Sequence, residues 1–102
     1  MSPKDTRLSG RTALVTGSTG GLGVAIAHRL ADDGAHVVVS GRSAERGAAV
    51  VGEIRAAGGA ATFVAADLAG ENGIRELAEN ATQALGGRLD ILVNNAATLL
   101  MP

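Results

Sequence analysis

Short apolar runs alternate along this chain with longer segments of helical period, and glycines mark most of the changeovers. Thr12 to Thr16 (Thr-Ala-Leu-Val-Thr) is apolar and β-branched, which suits a strand buried on both faces. Behind it Leu22, Ala25, Ile26 and Leu30 recur at helical spacing until Asp32, Asp33 and Gly34 stop the pattern. His36 to Ser40 gives a second buried strand. Ser43 then stands as N-cap of a helix through Val50, Val51 and Ile54, which Gly58-Gly59 ends. Ala61 to Ala65 is a weaker third strand. A third helix keeps Ile74, Leu77, Ala78, Ala81 and Leu85 on one face before Gly86-Gly87, and Asp90 to Asn94 makes a fourth strand.

Strands that alternate with helices across connections this short must pair in parallel, through right-handed crossovers that place helices on the sheet faces. The expected fold is α/β: a Rossmann-type three-layer sandwich with a parallel sheet of strand order 3-2-1-4, truncated after the fourth strand. The whole of residues 1–102 reads as one domain, incomplete at its C-terminal end, because no linker or low-complexity stretch interrupts it.

Composition narrows the partners more than the fold. The chain is 46% hydrophobic but only 1% aromatic, so its core must be built from Ala, Val and Leu. A net charge of -1, with both signs scattered, leaves no basic stripe for nucleic acid or an anionic membrane. Cysteine is absent, which removes disulfides and thiolate chemistry, and two histidines, His28 and His36, do not make a metal cluster. Both read as boundary or solvent-facing residues, and Asp32-Asp33 as a solvated turn at a helix end where the dipole disfavours them. Glu71, Glu76 and Glu79 fall on the polar face of the third helix. The N-terminus has no apolar export region, and no run approaches the roughly 20 apolar residues that span a bilayer, so a cytoplasmic setting is expected.

The chemistry lies where the first strand hands over to the first helix, in Thr16-Gly17-Ser18-Thr19-Gly20-Gly21-Leu22-Gly23. A pyrophosphate needs backbone N–H donors and the positive end of a helix dipole at close range, and glycine lets the chain approach without a Cβ clash. Gly17 would make the turn, Gly21 would permit close approach, and Gly23 would let the helix pack onto the strand.

The spacing Gly-x-x-x-Gly-x-Gly after threonine resembles the short-chain dehydrogenase/reductase family. Asp67-Leu68 after the third strand and Asn94-Asn95-Ala96-Ala97 after the fourth match the same family, so the resemblance covers nearly the whole chain as that family's N-terminal, cofactor-binding half. It implies that Asp67 bonds the adenine amino group and that Leu68 lines the adenine pocket. It further implies that Ala96 and Ala97 pass behind the nicotinamide ribose, while Asn94 helps to fix the sheet and the cofactor. The rest of the turn, Ser18, Thr19, Gly20 and Leu22, completes the implied phosphate site. Two features depart from the pattern. Gly17, Gly20 and Gly23 also satisfy the Thr-Gly-x-x-Gly-x-x-Gly of the family's extended branch, although Asn-Asn-Ala favours the shorter oxidoreductase branch. Ala97 stands where that branch usually has glycine.

About 20 residues beyond the turn, an NAD enzyme usually places an acidic residue for the adenosine ribose. Here stands Gly41, followed by Arg42, with Ser40 and Ser43 on either side. A guanidinium and two hydroxyls, with no carboxylate to repel a 2′-phosphate, favour NADP(H) over NAD(H). The alternative is a solvated arginine in a loop beside a helix cap.

Catalysis in this family uses a tyrosine whose pKa a nearby lysine lowers, and a serine that positions the substrate oxygen. This sequence has no tyrosine, and its one lysine is Lys4. The Tyr-x-x-x-Lys element is therefore missing, no catalytic residue is assigned, and the chain by itself is expected to be inactive. Three readings remain open: part of an oxidoreductase acting on an alcohol or carbonyl substrate, a non-catalytic NADP(H)-binding module, and part of an extended-branch nucleotide-sugar epimerase or dehydratase. The complete enzyme is expected to be a homodimer or homotetramer. Alone, the chain should be marginally stable or prone to aggregate, because Ile91-Leu92-Val93 would be a bare apolar edge.

Overall fold

The first apolar run forms β1 (Thr12–Val15), which takes an interior place in a parallel sheet. The computed structural model describes residues 7–67 and 71–95. Within them follow α1 (Gly21–Asp32), β2 (His36–Gly41), α2 (Ala44–Ala56), β3 (Ala60–Ala65), α3 (Glu71–Ala84) and β4 (Ile91–Val93). The strand order is β3-β2-β1-β4 and every neighbouring pair is parallel, as the alternation of strand and helix requires.

Helices lie on both faces of the sheet and bury the central strands β1 and β2, which is why those two read as continuous apolar runs. Ala13, Val15, Val37 and Val39 point to one side, where Ala27 and Ala31 of α1 and Val50, Val51 and Ile54 of α2 close over them. Leu14 and Val38 point to the other, beneath Leu77 and Ala81 of α3. Ser43 caps α2 as its sequence predicts, its Oγ accepting from the Arg46 amide at 3.1 Å.

Two local expectations need correction. The buried stripe of α1 is Gly23, Ala27 and Ala31, with Ile26 and Leu30 only partly buried, Ala25 exposed and Leu22 69% exposed. Small residues won the inward face because they let the helix axis come close to the sheet, whereas the spacing of large apolar residues pointed one position away. Nor is Asp33 merely solvated: its Oδ2 accepts from Arg29 Nε at 3.3 Å, one helical turn back, which offsets the unfavourable dipole.

β4 lies at the edge of the described sheet, and Leu92 is 54% exposed there. At the opposite end of its pairing with β1, the Thr12 amide donates to Asp90 Oδ2 at 2.9 Å, and the Asp90 amide returns a bond to Thr12 O at 3.1 Å. Arg88 Nε stands 3.1 Å from both carboxylate oxygens of Asp90.

Candidate cofactor site

The turn after β1 opens at the point where the sheet's order reverses, since β2 lies on one side of β1 and β4 on the other. Open α/β sheets bind ligands at such a switch point, outside the carboxyl ends of the strands. Gly17 (φ 63°) and Gly21 (φ 57°) both take left-handed backbone, which a side chain would strain, and so the chain reverses tightly into α1. Gly20 is the N-cap of α1, and no side chain among the described residues caps that terminus. The first turn of α1 holds no acidic residue. Among the described residues nothing takes up the first amides of α1 or opposes its positive dipole, and a Cβ at Gly20 or Gly21 would point into open space. That arrangement suits an anionic group.

The bare Cα of Gly23 lets α1 lie against the turn itself and the exit of β4. A Cβ there would overlap the Gly17 carbonyl oxygen and come within 2.7 Å of Asn95 Nδ2 and 2.9 Å of Ser18 Cα. Only glycine allows α1 to sit against the turn in this way.

The turn is braced from two sides, by Asn94, for which the resemblance implied such a part, and by Asn95, Ser18 and Ser40, whose bracing role the sequence did not disclose. On the β4 side, Thr16 Oγ1 lies 3.2 Å from Asn94 Oδ1 and accepts from the Asn95 amide at 2.9 Å, and Asn95 Nδ2 donates to Gly17 O at 3.2 Å. On the β2 side, the Ser18 amide donates to Ser40 O and the Ser40 amide to Ser18 Oγ, each at 2.9 Å. The hydroxyls of Ser18 and Ser40 both donate to Val15 O, at 2.7 and 3.1 Å. Ser18 and Ser40 are buried, so their hydroxyls serve the turn's rigidity. Ser40 thus does not offer its hydroxyl to a phosphate at the surface, contrary to expectation: a polar residue at the last inward position of a strand turns to the nearest buried carbonyl.

At the end of β2, Gly41 packs against the side chain of Thr19, bringing the turn and the strand end together. Arg42 is exposed, and its guanidinium has no hydrogen-bond or ion-pair partner among the described residues. Ser43 is half-buried beside it, its oxygen engaged by the helix cap. The Ala66 amide donates to Gly41 O at 3.0 Å, so the chain leaves β3 beside this corner and carries Asp67, which is exposed, past it. Leu22 is the large apolar residue left uncovered at the start of α1. Leu68, Ala96 and Ala97 lie outside the described residues.

Among the described residues no group of three or more His, Cys, Asp or Glu side chains could hold a metal ion, and no helix is long and apolar enough to cross a membrane.

Comparison with known proteins places this geometry. The family model for short chain dehydrogenases matches residues 11–101. Hydroxysteroid dehydrogenase-like protein 2 of Xenopus laevis is 42% identical over 97% of this chain, which spans 25% of that relative's length. Among solved structures, a hydroxysteroid dehydrogenase from Escherichia coli superposes with a TM-score of 0.83 at 39% identity, covering 97% of this chain and 44% of that one. A short chain dehydrogenase from Burkholderia cenocepacia, solved in complex with NADP, gives 0.82 at 47% identity over 94% of this chain and 39% of its own. The uncapped glycine turn, its two braces and a match that runs through all four strands have one common explanation: this chain belongs to the short chain dehydrogenase family.

Proposed function

We propose that residues 1–102 belong to a single NADP(H)-binding Rossmann domain of which they are a part, and that the protein is an oxidoreductase moving a hydride between the nicotinamide and an alcohol or carbonyl substrate. The observation that carries this reading is the start of α1 at the sheet's switch point, uncapped among the described residues, with Gly41 and the exposed Arg42 at the neighbouring strand end. The amides of Gly21, Leu22 and Gly23 would hold the pyrophosphate, with Gly17 and Gly20 giving it room. Arg42 would take the 2′-phosphate through charge-assisted bonds, helped by the Ser43 hydroxyl proton, and no acidic side chain at position 41 would repel it. Thr19 would line the ribose, Asp67 and Leu68 the adenine, and Asn94, Ala96 and Ala97 the nicotinamide ribose, while a bound dinucleotide would cover Leu22. Ser18 acts from within, by holding the turn in shape.

When bound, the nicotinamide supplies or accepts the hydride; this chain binds and orients it. It contributes no proton-transfer tyrosine, since the sequence has none. A cytoplasmic homodimer or homotetramer is the setting in which such a domain would work. The solved Burkholderia relative in complex with NADP supports the choice of dinucleotide.

Titration of the full chain with NADPH and with NADH, followed by dihydronicotinamide fluorescence, tests the proposal. NADPH should bind about tenfold or more tightly than NADH, the scale of one charge-assisted contact. Binding of neither would sink it, and a preference for NADH would overturn the role given to Arg42.

A further inference from the structure

Position 41 is kept bare by its neighbour and not by its own backbone. Gly41 lies outside the left-handed region, so its φ and ψ would accept any ordinary residue. The obstacle is Thr19. A Cβ at position 41 would stand 2.7 Å from Thr19 Oγ1, 2.7 Å from Thr19 Cγ2 and 3.3 Å from Thr19 Cβ.

Rotation of Thr19 does not remove the conflict. Threonine carries two heavy atoms on Cβ and has three staggered positions to put them in. Two of those positions face residue 41, because both γ atoms are now equally close to it. Two atoms cannot leave both positions empty, so every rotamer keeps at least one heavy atom against the new Cβ. Serine has a single γ atom and can turn it to the third position.

The backbones cannot separate either. Thr19 and Gly41 each directly follow a member of the buried Ser18–Ser40 pair, whose two reciprocal bonds are 2.9 Å long and whose hydroxyls share the Val15 carbonyl. Moving the turn away from the strand end would break a fully satisfied buried network. Any relief must come from the side chain at position 19.

We infer that Thr19 is a specificity-determining residue: its branched side chain excludes the acidic residue by which a dinucleotide site at this strand end would select an unphosphorylated ribose. The inference rests on the proposed NADP(H) site, with Gly41 and Arg42 as its ribose corner. Thr19 acts through position 41, in addition to any contact of its own.

Two measurements on the full chain test it. The first compares melting temperatures of the wild type, Gly41→Ala, Thr19→Ser and the double variant. Gly41→Ala should melt about 5 °C or more below wild type, as overpacking does in a domain of this size, and Thr19→Ser should restore most of the loss. Additive effects would overturn the inference. If Gly41→Ala does not fold, recovery of folded protein on adding Thr19→Ser supports it, and failure of both overturns it. The second titrates Gly41→Asp and Gly41→Asp/Thr19→Ser with NADH and NADPH. The double variant should bind NADH about tenfold or more tightly than Gly41→Asp alone. Equal NADH binding by the two would overturn the specificity role. A wild type that binds neither dinucleotide would remove the underlying cofactor reading and the specificity role with it, while the melts would still report whether the two residues are sterically coupled.

Discussion

The side-chain amide of Asn95 donates to the carbonyl oxygen of Gly17 at 3.2 Å, joining the exit of β4 to the glycine turn behind β1. The Asn95 backbone amide reinforces the join at Thr16 Oγ1. Replacing Asn95 with alanine leaves a turn carbonyl without its partner and should cost about 1 kcal/mol of stability, with dinucleotide binding weakened about fivefold. Chemical denaturation and a fluorescence titration of the same protein check the two effects. Unchanged binding would mean that the turn holds its shape without this brace.

Gly23 should be far less forgiving. Even an alanine there overlaps the Gly17 carbonyl and crowds the Asn95 amide, and a backbone oxygen cannot rotate away as a side chain does. Gly23→Ala should destabilise the chain by about 2 kcal/mol or more and abolish dinucleotide binding. A variant with a wild-type melting curve would refute the packing argument.

Arg42→Ala should separate the two cofactors. NADPH affinity should fall about tenfold or more, as expected for losing a charge-assisted contact, while NADH affinity stays within about twofold. Parallel titrations show whether the loss is selective. Equal losses for both dinucleotides would assign Arg42 to a part of the cofactor that they share.

Asp90 gives the β1–β4 junction a pH dependence. The Thr12 backbone N–H holds its carboxyl below the usual aspartate range; partial desolvation works the other way, and the Thr12 hydroxyl and Arg88 add to the lowering. A lowered folded pKa means that the unfolded chain takes up the proton first, so this contribution is complete above about pH 4 and is lost as pH falls through the folded value. Urea melts of wild type and Asp90→Asn should differ most at neutral pH and converge in acid. A gap that stays constant with pH would show that the carboxylate's charge is not what matters.

Glycine to alanine inside a helix normally stabilises by about 1 kcal/mol, yet Gly47→Ala in α2 should do the reverse. Its Cβ would overlap the ring of Phe63, the single aromatic residue of the sequence, which packs from β3 against the core beneath α2. A net loss of about 1 kcal/mol or more is expected, and Phe63→Leu should recover part of it. Thermal melts of the single and double variants decide this.

Gly47 and Phe63 also show why the sequence discloses the fold more readily than the site. Strands and helices announce themselves by period, and Val37-Val38-Val39 or Val50, Val51 and Ile54 leave little choice of element or face. What a missing Cβ makes room for is a relation between distant parts of the chain. Gly23, in a recognised turn, could be understood in advance, whereas nothing in the spacing of Gly41 reveals that Thr19 fills its place. Ser18 and Ser40, 22 residues apart, look like surface hydroxyls beside a phosphate site until the strands bring them together at one carbonyl. The small inward stripe of α1 was obscured for a related reason: close helix approach selects glycine and alanine, which a search for large apolar residues passes over.

The brace between Asn95 and Gly17 spans 78 residues, and that separation has a meaning for the order in which the molecule is made. A chain emerging from the ribosome completes the glycine turn, α1 and β2 early, and Ser18 and Ser40 can close their ring at once. The second brace must wait until β4 has been synthesised and the long loop closed, a step whose entropy cost precedes its reward. The proposed phosphate cradle thus becomes firm only once β4 is in place, and a dinucleotide captured there would mark strands that have already assembled rather than guide their assembly.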